Sequence, residues 1–107
     1  MKDKLLQIIE HYGIMKQLKY IHTEYFELDQ AIIDYEDSDE ANEIYEGNDY
    51  VMPKFEESIA EEIADVMVML KQFQYYYGIT NGEIEKVMEF KIDRQLERMR
   101  GEENGNI

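Results

Sequence analysis

Between Gly13 and Gly47 the chain contains neither glycine nor proline, and within that stretch Ile14, Leu18, Ile21, Tyr25, Leu28 and Ile32 recur at steps of four, three, four, three and four residues. An apolar period near 3.6 is the signature of a helix with one face turned to a core, and it predicts a long helix over about 14–36. A short helix fits about 3–11, punctuated by Gly13. A third is expected from Lys54 to Tyr77, with Ile59, Ile63, Val66, Leu70, Phe73 and Tyr77 as its stripe and Gly78 as C-terminal cap. Thr80 or Asn81 would then cap a fourth helix, about 81–100, with Ile84, Val87, Met88, Ile92, Leu96 and Met99 inward. From Asp34 to Asp49 run eight acids and no base, with Gly47, Asn48 and Pro53 close by, so about 34–53 is expected to be a solvated acidic connector. The GEENGNI end, 101–107, is expected to be a flexible tail.

At 107 residues the chain has the size of one domain, taken here as 1–100. Twenty-five acidic residues against eleven basic ones leave a formal charge of −14, the wrong sign for holding nucleic acid or an anionic membrane surface unaided. A phosphorylated substrate would therefore need a cation beside it. The absence of cysteine excludes a disulfide framework, a thiolate zinc site and a cysteine nucleophile. No stretch near the amino terminus has the continuous apolar character of a signal peptide or membrane span. A cytoplasmic location is the expectation.

The second and third helices carry a shared pattern at an offset of 38 residues: Glu24 matches Glu62, Glu27 matches Asp65, and Leu28 matches Val66. At about 100° per residue, each acidic pair spaced by three lies on one side of its helix, directly beside the apolar stripe. If the two stripes pack face to face, Glu24, Glu27, Glu62 and Asp65 converge at one edge of the pair. Four carboxylates brought that close repel strongly unless water or a cation intervenes. Mg²⁺ answers this need, because it takes oxygen ligands, keeps several waters and commonly bridges carboxylates to substrate phosphates; Mn²⁺ is the alternative ion. A ferritin-like di-iron centre is excluded, since it needs Glu-x-x-His on two helices and neither His11 nor His22 follows a glutamate by three.

The run GIMKQLKYIHTEYFELDQAI from Gly13 to Ile32, followed by EEIADVMVML from Glu61 to Leu70, resembles the MazG-like, all-α nucleoside triphosphate pyrophosphohydrolases, whose signature is EExxE, a variable spacer and ExxD. The resemblance spans about residues 10–100. It implies a four-helix unit made of a short helix, two long antiparallel helices and a C-terminal helix, assembled as a homodimer or homotetramer. It also implies that Glu24, Glu27, Glu62 and Asp65 are the catalytic Mg²⁺ ligands, and that the reaction is hydrolysis of a nucleoside triphosphate to the monophosphate and pyrophosphate. Two departures are visible. Thr23 stands where the pattern has its first glutamate, and the spacer from Leu28 to Glu61 is 34 residues, longer than usual in the family.

A triphosphate carries more charge than one Mg²⁺ neutralises, so a base should reach the same pocket. Lys91, Arg94 and Arg98 form one stripe on the fourth helix, and the family likeness favours Lys91 and Arg94 as substrate-binding residues. Gln17, one heptad before Glu24 on the same face, is the candidate for contact with base or ribose. Glu27 or Glu61 is the candidate to take a proton from the attacking water. Two alternatives stand beside this reading: an acidic helical binding module that mimics DNA, which needs its acids exposed rather than bordering a core, and a catalytically silent nucleotide-binding relative.

Overall fold

A computed structural model describes the backbone of residues 1–44 and 51–105 and the side chains of 1–37 and 58–105. It contains α1 (Lys2–Tyr12), α2 (Ile14–Ile44), α3 (Val51–Tyr76) and α4 (Asn81–Glu103), with no strand among the described residues. The chain forms two compact units, Met1–Tyr76 with α1 to α3 and Tyr77–Ile107 with α4.

In the first unit, α1 is anchored by Leu5 and Ile9, four residues apart on one face and both buried, Ile9 completely. One residue, Gly13, then separates α1 from α2. Its φ of 90° lies in the left-handed region that side-chain-bearing residues avoid. Its N–H donates to Ile9 O at 2.8 Å, closing α1, while its carbonyl accepts from Gln17 N at 3.1 Å, opening α2. The main packing of the unit is α2 against α3, and α1 touches both, α3 more than α2. α2 and α3 run antiparallel: Gln17 meets Gln72, while Glu24 and Glu27 meet Glu62 and Asp65, so the partner number falls as the α2 number rises.

The face that α2 turns inward differs from the stripe of largest apolar residues. Among the described side chains its buried and half-buried positions are Ile14, Gln17, Ile21, Glu24, Leu28, Ala31 and Tyr35, at steps of three and four; Ile14, Ile21 and Leu28 are inward as expected, whereas Leu18, Tyr25 and Ile32 are exposed. α3 behaves alike. Glu62, Val66, Met69, Gln72 and Phe73 lie inward, and Ile63 and Leu70, expected inward, are 43 and 52% exposed; Tyr77, expected at the end of the stripe, lies beyond α3 and is exposed. The seam thus carries polar side chains, and much of the aliphatic surface of both helices faces outward.

The boundaries of α2, α3 and α4 differ from those expected. α2 continues to Ile44, through much of the run assigned to the acidic connector. No glycine or proline interrupts it before Gly47, and neighbouring like charges on an exposed helix cost only a few tenths of a kcal/mol per pair. Residues 45–50 of that connector lie outside the described residues. α3 begins at Val51, not Lys54, with Pro53 in its first turn, where a helix has no use for the missing N–H. It ends at Tyr76, and Gly78 follows at φ 70°. α4 runs to Glu103, past the expected start of the tail, because Gly101 is tolerated one turn from the end and Asn104 N–H closes the helix on Arg100 O.

In the second unit Thr80 is the N-cap, its Oγ1 accepting from Glu83 N at 3.1 Å. α4 buries none of its residues; Val87, Met88, Ile92, Leu96 and Met99, expected inward, are each at least 40% exposed. A single copy of the chain contains nothing that covers this stripe within its own unit. Among the described residues no helix is long and apolar enough to cross a membrane.

Two outcomes follow. Ile9→Ala should lower the stability of the first unit by about 2–5 kcal/mol in chemical denaturation, because a fully buried side chain leaves a cavity. Light scattering at micromolar concentration should give at least a dimer of the 12.9 kDa chain, since Leu18, Tyr25, Ile32, Ile63 and Leu70 expose more apolar surface than a soluble monomer usually carries. A single 12.9 kDa species would remove self-association from consideration.

Candidate functional site

The antiparallel seam brings one carboxylate oxygen from each of Glu24, Glu27, Glu62 and Asp65 within 4.8 Å of one another. Each pair is spaced by three on its helix, and reversal of one helix against the other sets the two pairs face to face. Glu24 is buried at 7% exposure, Glu62 is half-buried, and Glu27 and Asp65 open to solvent. The buried oxygens are the telling ones: Glu24 Oε2 and Glu62 Oε2 have no hydrogen-bond partner. A buried carboxylate oxygen without a donor is costly in any fold, and one from each helix is left so at the same point.

The electrostatics match the geometry. Burial raises the Glu24 carboxyl above its ordinary value, the hydrogen bond from the Tyr20 hydroxyl pulls it partly back, and the charges of Glu27 and Asp65 push it up again. Glu62 is raised by burial first and then by the charges of Glu27, Asp65 and Glu24. The Tyr20 hydroxyl is held above its usual range because it donates to Glu24 and faces that negative charge. The donor set consists of four carboxylates, each with one oxygen within 4.8 Å of the others, and two of them carry an orphaned oxygen; this fits a hard divalent cation.

A cleft of about 310 Å³ adjoins the carboxylates, with Glu24 and Asp65 in its wall. Ile8 and Tyr12 of α1, Lys16, Gln17 and Tyr20 of α2, and Val68, Met69 and Gln72 of α3 complete the lining. Lys16, Tyr20 and Glu24 follow one another at intervals of four, so one face of α2 presents a cation, a phenol and a carboxylate in succession. The Lys16 ammonium lies 5.2 Å from the centre of the Tyr12 ring.

Of the residues singled out from the sequence, Glu24, Glu27, Glu62 and Asp65 come together, and Gln17 lines the adjoining cleft. Lys91 and Arg94 are exposed on α4, in the Tyr77–Ile107 unit. Glu61 is exposed on α3 and lies outside the group of four. Lys16, Tyr12, Met69 and Gln72 were not foreseen as site residues. A signal for Gln72 was available, since it lies one heptad after Asp65 as Gln17 lies one heptad before Glu24. Compared with family models, curated proteins and solved structures, the chain matches none.

Two measurements check the site. Millimolar Mg²⁺ should raise the melting temperature, since ligand at a hundred times its dissociation constant contributes roughly 2.7 kcal/mol, and Glu62→Gln should blunt the rise. An equal shift in the mutant would exclude these carboxylates as the binding site. The raised carboxyls also set a pH dependence. Protonated Glu24 and Glu62 are favoured in the folded state, so their stabilising contribution is full below the ordinary value of 4.5 and is lost as pH rises through their elevated folded-state values. Metal-free protein should therefore melt higher near pH 5 than at pH 7, and Glu24→Gln should flatten that slope.

Proposed function

We propose that the protein hydrolyses a nucleoside triphosphate to the nucleoside monophosphate and pyrophosphate, with Mg²⁺ held by Glu24, Glu27, Glu62 and Asp65. The observation that carries this reading is the pair of buried, partnerless oxygens, Glu24 Oε2 and Glu62 Oε2, inside a four-carboxylate cluster at the wall of a cleft. The resemblance of the two helical segments to MazG-like enzymes supports the same assignment. A DNA-mimicking role is less well supported, because a mimic presents its acids to solvent and Glu24 is buried.

In this mechanism Glu24, Glu27, Glu62 and Asp65 would hold the cation, which when bound would supply positive charge to the phosphates and the departing pyrophosphate and would lower the pKa of a water. The chain's own residues supply the rest. Tyr20 orients Glu24 through its hydroxyl hydrogen bond. Glu27, exposed at the edge of the cluster, accepts the proton of the attacking water. Lys16 contributes positive charge from the same face of α2, and Lys91 and Arg94 of α4 are proposed as further phosphate contacts. Placement of Lys16, Tyr20, Glu24 and Glu27 on one helix fixes their spacing before substrate arrives. No covalent intermediate is required.

Release of pyrophosphate from a panel of nucleoside triphosphates tests the proposal. Alanine at Glu24, Glu27, Glu62 or Asp65 should each lower the rate by at least about a hundredfold. Double substitutions should add little, because residues holding one ion act as a unit. Lys91→Ala or Arg94→Ala should cost roughly tenfold, and Asp37, Glu40 and Glu43 should be dispensable. Wild-type protein inert toward the whole panel would defeat the proposal.

A further inference from the structure

Gln17 and Gln72 are buried amides that meet across the seam at the cleft, 6 and 1% exposed. Gln17 Nε2 donates to Gln72 Oε1 at 2.8 Å. A methionine sulfur lies against the NH₂ group of each amide. Gln17 Nε2 is 4.0 Å and Gln72 Nε2 3.6 Å from Met69 Sδ, itself 3% exposed. A thioether sulfur accepts hydrogen bonds weakly and offers no proton, so it favours the arrangement in which both NH₂ groups turn toward it. Rotating Gln17 would place a carbonyl oxygen against the sulfur and break the 2.8 Å bond in a buried setting. Gln17 lies in the cleft wall, and with its NH₂ group committed to Gln72 its carbonyl oxygen is the group it has left to offer a ligand there.

Seven residues separate Gln17 from Glu24, a rise of about 10 Å along a helix. That span is comparable to the reach from the outer edge of a nucleobase to the phosphates of the same nucleotide. The rings of Tyr12 and Tyr20 line the same cleft. We infer that the cleft selects nucleotides whose base edge carries an exocyclic amino group, as in cytosine or adenine, over those carrying an oxo group there, as in uracil or hypoxanthine. Gln17 Oε1 is the discriminating atom and Met69 the residue that fixes its orientation. This rests on the proposed nucleotide hydrolysis. An amino group donates to the Gln17 carbonyl, whereas an oxo group sets two acceptors against each other and leaves both desolvated without a donor.

The test compares matched pairs that differ at this edge, CTP with UTP and ATP with ITP, by kcat/KM for pyrophosphate release. CMP and UMP are compared in parallel by calorimetric binding, which needs no turnover. The amino member of each pair should be preferred by about tenfold, the worth of one neutral hydrogen bond together with the avoided clash of acceptors. Gln17→Leu should bring each ratio to within about twofold. Met69→Leu, a substitution of similar volume, should do the same by freeing the amides, with the change read in the ratio rather than in the rate alone. Equal handling of both members by the wild type overturns the inference and leaves the hydrolase intact. Tighter binding of CMP than UMP without turnover of any triphosphate keeps the base selection and defeats the hydrolase. No turnover with no difference in binding overturns both.

Discussion

The packing of α2 against α3 carries like charges into its own seam, and the remaining features of the site depend on that choice. A seam chosen for apolar burial alone would have used Leu18, Tyr25 and Ile32 on one helix and Ile63 and Leu70 on the other. The observed seam instead holds Gln17, Glu24, Glu62 and Gln72 beside Ile21, Leu28, Val66 and Met69. A cluster of four carboxylates with two unpartnered buried oxygens weakens the metal-free fold. Such a cluster is sustained by neighbouring packing, here the α1 anchor at Leu5 and Ile9 and the glutamine pair one heptad away.

That arrangement has a local two-fold character. Each helix contributes two acids spaced by three residues and a glutamine one heptad distant, on the side before Glu24 in α2 and after Asp65 in α3. Antiparallel packing superposes the two patterns, so carboxylates meet carboxylates and amide meets amide. The two meetings have opposite consequences. An amide both donates and accepts, so Gln17 can bond Gln72 directly, whereas two ionised carboxylates only accept and need a donor or cation between them. One seam therefore yields a hydrogen-bonded amide pair and, two turns along, a cluster of acceptors whose repulsion a proton or a cation would relieve.

The short connection at Gly13 joins these parts to the cleft. Because a single residue with φ 90° separates α1 from α2, Tyr12 is brought beside Lys16, and both border the space next to the carboxylates. A longer loop would leave the end of α1 free to move. Burial of Ile9, one turn before the junction, holds that end in place. The placement of Tyr12 beside Lys16 thus follows from one apolar anchor and one backbone conformation available chiefly to glycine.

Much of the fold was legible in the sequence. Apolar periodicity, the placement of glycines and the single proline identified four helices, and the spacing of Glu24, Glu27, Glu62 and Asp65 placed each acidic pair on one side of its helix. The helical character of Asp37 to Ile44 was hidden, because acid-rich composition resembles a solvated loop although the charges alone do not break a helix in water. The inward face was also misjudged at Leu18, Tyr25, Ile32, Ile63 and Leu70, since periodicity shows that a helix has a stripe but not which of two adjacent stripes a partner will cover. The pairing of Gln17 with Gln72 and the orientation imposed by Met69 belong to tertiary structure alone. The sequence determined the existence of four helices and the residue types that share a helix face, because those follow from local geometry. Which faces meet, which carboxylate oxygens lose their water and which amide carbonyl is left to the cleft were decided by packing between helices distant in the chain, and no local pattern encodes those distances.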